Sequence, residues 1–288
     1  MFTATLIAAA DLGASLPAQL SNDLGGNAPR WLAPGVAAEF DLPARPEHEA
    51  DLWAGLQRQG VDLAIQPSGN RRKRILIADM DSTMIGQECI DELADLAGVG
   101  PRVAAITARA MNGELNFHEA LTERVTLLAG LPASTIAEVM AHRITLAPGG
   151  RVLLATMRAH GAHTALVSGG FTAFTGMVAE QLGFHEHRAN SLEIVENTLT
   201  GHVIPPILGR EAKVEALEEI AARLGTTPAD AIAVGDGAND LGMIRLAGTG
   251  VALNAKPAVA AQAPIRINHG DLTALLYLQG YHADEFAA

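Results

Sequence analysis

Thiol chemistry is nearly absent from this chain: Cys89 is the one cysteine in 288 residues. That excludes an internal disulfide and a thiolate metal site, and leaves a thiol of the core or the edge of a site. Positive charge is also scarce. With 20 Lys and Arg against 32 Asp and Glu, the formal net charge is −12, which argues against a nucleic-acid partner and suits a soluble, metal-using enzyme. The one basic run, Arg71 to Arg74 (RRKR), reads as a solvated linker or the lead-in to a strand. No apolar stretch reaches the roughly 20 residues of a membrane helix, and the opening MFTATLIAAADLG lacks a basic n-region. A cytoplasmic protein without a membrane partner is expected. Internal repeats, low-complexity tracts and a G-x-x-x-x-G-K-[ST] phosphate loop are missing as well.

What is present is apolar mass and a few polar punctuation marks. Hydrophobic residues make up 49% of the chain, enough for a sizeable core. The most informative stretch is ILIADMDST, residues 75–83, where an apolar strand-like run delivers Asp79 and Asp81. Side chains two apart on an extended backbone point the same way. Two such carboxylates repel when both are ionised, so a cation or a retained proton is expected between them. Alone, the motif also fits a strand followed by an Asp-rich turn.

Residues 1–70 read as a small separate module, with strands at 3–9, 29–33, 36–41 and 61–66 and helices at 13–23 and 46–59. That βαββαβ order is ferredoxin-like, and PSGN at 67–70 followed by the basic run makes a linker. From residue 75 to 288 the pattern alternates strand and helix, with strands at 75–79, 163–168, 231–236, 249–253 and 264–267, the mark of an α/β, Rossmann-like parallel sheet. Residues 86–146 read almost wholly helical, with Asn116 and Glu119 as a capping signal, and predict a small helical cap inserted after the first strand. A shorter strand-rich excursion spans Leu192 to Ile204.

Three strands of this sheet end in polar residues, at Asp79, Ser168 and Asp236, and the carboxyl ends of parallel strands share the edge where ligands bind. Ser168-Gly169-Gly170 offers a hydroxyl and open backbone N–H groups for phosphate oxygens; an ordinary turn is the plainer alternative. In Gly235-Asp236-Gly237-Ala238-Asn239-Asp240 the sixth position is Asp240 and an acid sits where a pyrophosphate would approach, so a dinucleotide loop fails and a magnesium site fits better. Lys213, an exposed helical lysine on composition alone, is what a site with three aspartates and a phosphate needs for balance. Arg124 shares a helix face with Leu121 and Leu128, as either a snorkelling arginine or a planar fork for a carboxylate.

The order DMDST, SGGF, lysine, GDGAND resembles the haloacid dehalogenase-like phosphatase superfamily over residues 75 to about 282, and the helical insertion resembles its class with a small helical cap. Glu88, Met111, Phe117 and Arg124 in the cap are similar to the members acting on O-phospho-L-serine. The resemblance implies hydrolysis of that small molecule to L-serine and phosphate, the last step of serine biosynthesis. Asp79 would be the nucleophile and Asp81 the general acid and base. Mg2+ would be held by Asp79, the Asp81 carbonyl and Asp236, with Asp240 as a further ligand or behind them. Ser168, Gly169 and Lys213 would hold phosphate, and Asn239, Glu88 and Arg124 the rest of the substrate. Another small phosphate monoester, or transfer to an acceptor other than water, stays open, as does a homodimer. The N-terminal module resembles the ACT-like units of amino-acid enzymes, for sensing or dimerisation.

Overall fold

The computed structural model describes residues 1–111 and 114–287. Its N-terminal strands β1 (Phe2–Ala8), β2 (Arg30–Ala33), β3 (Ala37–Leu42) and β4 (Val61–Pro67) form an antiparallel sheet in the order β2-β3-β1-β4, with helices α1 (Leu16–Asp23) and α2 (Glu49–Gln57) between them. This is the ferredoxin-like arrangement expected. Alternation builds it: Ala4, Leu6, Phe40, Leu42, Leu63 and Ile65 join one buried cluster with Leu20 of α1 and Leu56 of α2.

The intervening positions Thr3, Thr5, Glu39, Asp62 and Gln66 are buried too, so this sheet is covered on both faces. Asp62 accepts backbone N–H bonds from Asn268 (2.9 Å), His269 (2.9 Å) and Gly270 (2.8 Å), and Gln66 Nε2 donates to the Leu278 carbonyl at 2.7 Å. The basic run is the lead-in to a strand, which begins at Ile75, but it is not the solvated linker that is the other expectation. Arg71 pairs with the buried Glu39 at 2.5 Å and donates to the carbonyls of Tyr277 and Leu278. Arg72 lies 4.0 Å from the Tyr281 ring centre and pairs with Glu285. The Lys73 ammonium is buried and donates to the Ala229 carbonyl at 2.8 Å, and burial pushes its pKa down. Local charge density signals solvation; it carries no trace of acceptors some 150 to 210 residues away.

The second sheet comprises β5 (Ile75–Ala78), β6 (His163–Phe171), β7 (Glu186–Val195), β8 (Thr198–Ile204), β9 (Ala231–Gly235), β10 (Thr249–Leu253) and β11 (Ile265–Ile267), in the order β11-β10-β9-β5-β6-β7-β8. Pairing is parallel from β9 to β11 and from β6 to β7, with β8 antiparallel at the edge. The strand-rich excursion starts earlier than the sequence indicates, at Glu186. The stretch HEHRAN before Leu192 lacks the apolar alternation that marks a half-buried strand, but β6 supplies its ladder.

Between β5 and β6 lie α3 (Cys89–Leu96), α4 (Gly100–Met111), α5 (Phe117–Thr126), α6 (Ser134–His142) and α7 (Gly150–Ala159). The first four are the expected cap. Asn116 and Glu119 do form a capping box at the head of α5. The remaining helices are α8 (Thr172–Leu182), α9 (Arg210–Arg223), α10 (Leu241–Leu246), α11 (Pro257–Ala260) and α12 (Ala274–Leu278). The chain divides into two compact units: Met1–Ile77 with Pro148–Thr164 and Leu217–Ala288, and Ala78–Ala147 with Ala165–Ala216. Residues 1–70 thus share a unit with the C-terminal strands. No helix among the described residues is long and apolar enough to cross a membrane.

Candidate active site

Strand β5 is buried throughout, and the chain turns polar where it ends. Asp79, 5% exposed, accepts the Met80 N–H at 2.8 Å through Oδ1, and the same oxygen lies 2.7 Å from Lys213 Nζ. Lys213 sits in the first turn of α9 and is 1% exposed. It is therefore not the exposed helical lysine that composition favours, because a buried ammonium persists only beside an acid.

Asp81 has different partners. Its Oδ1 accepts the Cys89 N–H at 2.9 Å and its Oδ2 the Ser168 hydroxyl at 3.1 Å. Burial, then the charges of Glu88 and Asp79, push its pKa up to about 7, against the opposing Cys89 N–H bond. Cys89 is a buried thiol at the edge of the site, as expected, and burial pushes its own pKa up. Ser168 Oγ also accepts the Gly170 N–H at 2.8 Å, and a Cβ on Gly170 would lie 2.8 Å from Asp81 Oδ2. A side chain there would push the Asp81 carboxylate or the Ser168 hydroxyl out of place. Phe117 of α5 lies against Gly169, where a Cβ would meet the ring at 3.2 Å.

From the cap, Glu88 precedes α3 and accepts the Ser82 hydroxyl at 2.8 Å. Solvent reaches Glu88, yet the protein around it desolvates the carboxylate enough to raise its pKa. The half-buried Arg124 donates to the Ala120 carbonyl at 3.2 Å. Burial lowers its pKa, while the charges of Asp91, Glu88 and Asp81 oppose that shift. Met111 closes α4, and its side chain lies outside the described residues.

In the loop after β9, Asp236 and Asn239 are half-buried, and the buried Asp240 accepts the Gly237 N–H at 2.9 Å. Asp79, Asp236 and Asp240 are an acidic set that could hold a metal ion. An all-carboxylate set of this kind fits a hard divalent cation, which relieves the repulsion among the acids.

Two residues escaped sequence reasoning. Asn190 of β7 is fully buried; its Nδ2 donates to the Gly169 carbonyl (2.8 Å) and the Leu208 carbonyl (3.2 Å), and its Oδ1 accepts the Leu208 N–H at 2.7 Å. It ties the Ser168–Gly170 stretch of β6 to the segment leading into the Lys213 helix. Its partners lie 21 and 18 residues away, so no local pattern marks it. Ser82, in the left-handed region at φ +55°, carried a signal only as part of DMDST.

The profile of the haloacid dehalogenase-like hydrolase family matches residues 76–245. The chain is 44% identical over 231 residues to a phosphoserine phosphatase of Streptomyces coelicolor, covering 80% of this chain and 56% of that one. It is 45% identical over 200 residues to a phosphoserine phosphatase of Streptococcus thermophilus, covering 69% of this chain and 93% of the relative. Among solved structures, a HAD family hydrolase of Salmonella enterica serovar Typhi superposes with a TM-score of 0.87 at 34% identity, covering 96% of this chain and 98% of that one. The chain therefore spans little more than half of the Streptomyces relative and nearly all of the Streptococcus one.

Proposed function

Because this chain belongs to the haloacid dehalogenase-like hydrolases, we infer that it is a phosphatase that hydrolyses O-phospho-L-serine to L-serine and phosphate. The observation that carries the chemistry is the contrast between two neighbouring acids: Asp79 beside a buried ammonium at 2.7 Å, and Asp81 with a pKa raised to about 7. An acid held against a cation next to one that keeps its proton near neutrality is the division of labour that hydrolysis through a covalent intermediate needs.

In this reading Asp79 attacks phosphorus and becomes the aspartyl-phosphate, while Asp81 gives its proton to the departing seryl oxygen. Asp81, now ionised, then takes a proton from the water that attacks phosphorus and restores Asp79. Ser168, the Gly169 N–H and Lys213 hold phosphate oxygens. A magnesium ion held by Asp79, the Asp81 carbonyl and Asp236, with Asp240 close by, would neutralise charge on the phosphoryl group. Glu88 receives the substrate ammonium, Arg124 its carboxylate, and Asn239 helps to position it. Support for the substrate comes from relatives named phosphoserine phosphatase at 44% and 45% identity and from an acid and an arginine on the cap that complement an amino acid. A cytoplasmic location and a place at the end of serine biosynthesis belong to the same proposal.

A panel of phosphoserine, phosphothreonine and sugar phosphates, with magnesium and with chelator, tests it. Phosphoserine should lead the sugar phosphates by roughly a hundredfold or more in kcat/KM, the scale at which unpaired polar groups reject a poor substrate, and chelation should abolish turnover. Comparable rates on sugar phosphates would overturn the substrate.

A further inference from the structure

Glu88 has a local use that it does not take. It is the N-cap of α3, where an acidic side chain ordinarily turns back onto the first N–H groups of its helix, yet it makes no capping hydrogen bond. The N–H heading that helix, from Cys89, goes to Asp81, and Asp91 and Glu92 supply the negative charge of the first turn. The Glu88 carboxylate instead takes the Ser82 hydroxyl at 2.8 Å.

Ser82 reaches it from an unusual backbone. At φ +55° it holds a conformation that glycine adopts freely and other residues seldom do. Its N–H donates to the Gln87 carbonyl at 3.3 Å, closing the loop from 82 to 87. Gln87 is in turn fastened to the far end of the cap: its Nε2 donates to Thr145 Oγ1 at 3.0 Å and its Oε1 accepts the Thr145 N–H at 2.9 Å. The hydroxyl therefore meets Glu88 from a loop pinned at both ends, which fixes where the carboxylate stands.

We propose that Ser82 is a positioning residue for substrate selection, its hydroxyl holding one Glu88 oxygen so that the carboxylate presents its remaining acceptors to the substrate ammonium. The proposal rests on the reading that Glu88 receives that group. One hydroxyl satisfies one of the roughly four acceptor positions of a carboxylate, leaving the others for a cation, and two partners on a fixed acid discriminate better than one on a mobile one.

The test compares wild type, Ser82→Ala and Ser82→Gly on O-phospho-L-serine, on its deamino analogue 3-phosphonooxypropanoate, and on p-nitrophenyl phosphate. Both variants lack the hydroxyl, and the glycine also relieves the backbone. KM for phosphoserine should rise roughly three- to tenfold in both, the worth of one hydrogen bond, with kcat nearly constant and the other two substrates unaffected. In combination with Glu88→Gln, the Ser82→Ala change should add little, because it acts through that acid. Equal loss on all three substrates, an effect in the alanine variant but not the glycine variant, or full additivity with Glu88→Gln would overturn the role of Ser82. A wild type that does not prefer phosphoserine over its deamino analogue would instead overturn the reading of Glu88, and this inference with it. If that preference is present in wild type and intact in both variants, Ser82 alone loses its part.

Discussion

Asp79 faces an ammonium and Asp81 faces an amide and a hydroxyl, and this difference in partners separates two chemically identical side chains two residues apart. Asp79→Asn should abolish turnover and any acid-stable phosphoenzyme, since an amide is no nucleophile here; retained steady-state activity would remove Asp79 from the mechanism. Asp81→Asn should cost roughly 10² to 10⁴ in the rate of phosphoenzyme formation from phosphoserine, and less from an aryl phosphate whose leaving group needs no proton. Equal losses on both in this first half-reaction, followed by rapid quench, would count against Asp81 as the acid. The raised pKa of Asp81 also has a sign in stability. A carboxyl shifted from its ordinary value of 3.8 to about 7 binds more protons folded than unfolded, so its contribution is full below about pH 4 and lost as pH rises through 7. Glu88 and Asp91, also raised, act in the same direction. The lowered acids Asp41, Asp230 and Glu285 are ionised in both states above pH 5 and drop out. In chelator, the melting temperature should therefore fall between pH 5 and pH 8, and magnesium should recover part of it at pH 8. A chelated protein more stable at pH 8 would contradict this account.

Among the elements, β7 holds the clearest gap between pattern and packing. The sequence marks β5, β6, β9, β10 and β11 because each is a short apolar run fully or nearly buried, and burial leaves its trace in composition. The first half of β7 is polar, and its Asn190 is buried because three backbone groups from Gly169 and Leu208 satisfy it. Asn190→Ala should therefore lower stability by about 1–3 kcal/mol, as expected when buried donors and acceptors lose their partner. It should also weaken affinity for inorganic phosphate, because the Ser168–Gly170 stretch of β6 and the lead into α9 are no longer tied. Denaturant unfolding and phosphate inhibition measure the two effects; a variant unchanged in both would show the bridge to be idle.

For the molecule as a whole, the open question is what residues 1–70 do. The Streptococcus relative matches 69% of this chain over 93% of its own length, so proteins of this family exist that are little longer than the matched part. We propose that residues 75–288 carry the phosphatase and residues 1–70 form a separate module. Even so, the module is fastened: Asp62 accepts three backbone N–H groups of residues 268–270, and Arg71, Gln66 and Glu39 join the same contact. Asp62→Ala in the full chain should cost about 1–3 kcal/mol, the scale for leaving buried donors without their acceptor, and leave KM for phosphoserine unchanged. A large change in KM without loss of stability would give the module a part in catalysis.

The βαββαβ module, the α/β core, the helical cap and the motif residues were legible in the sequence, because hydrophobic period and strand-end polarity are local properties. The sequence also named Asp79, Asp81, Glu88, Arg124, Ser168, Gly169, Lys213, Asp236 and Asn239. Tertiary packing was needed to show that Lys213 is buried against Asp79, that the RRKR run is bound internally, that Asn190 bridges β6 and the segment before α9, and that Glu88 leaves its own helix for Ser82. Each of these is a choice of partner. The bond partners of a polar group are set by which distant segments the fold brings within 3 Å, and the burial that makes those bonds matter exists only once the chain has closed around them.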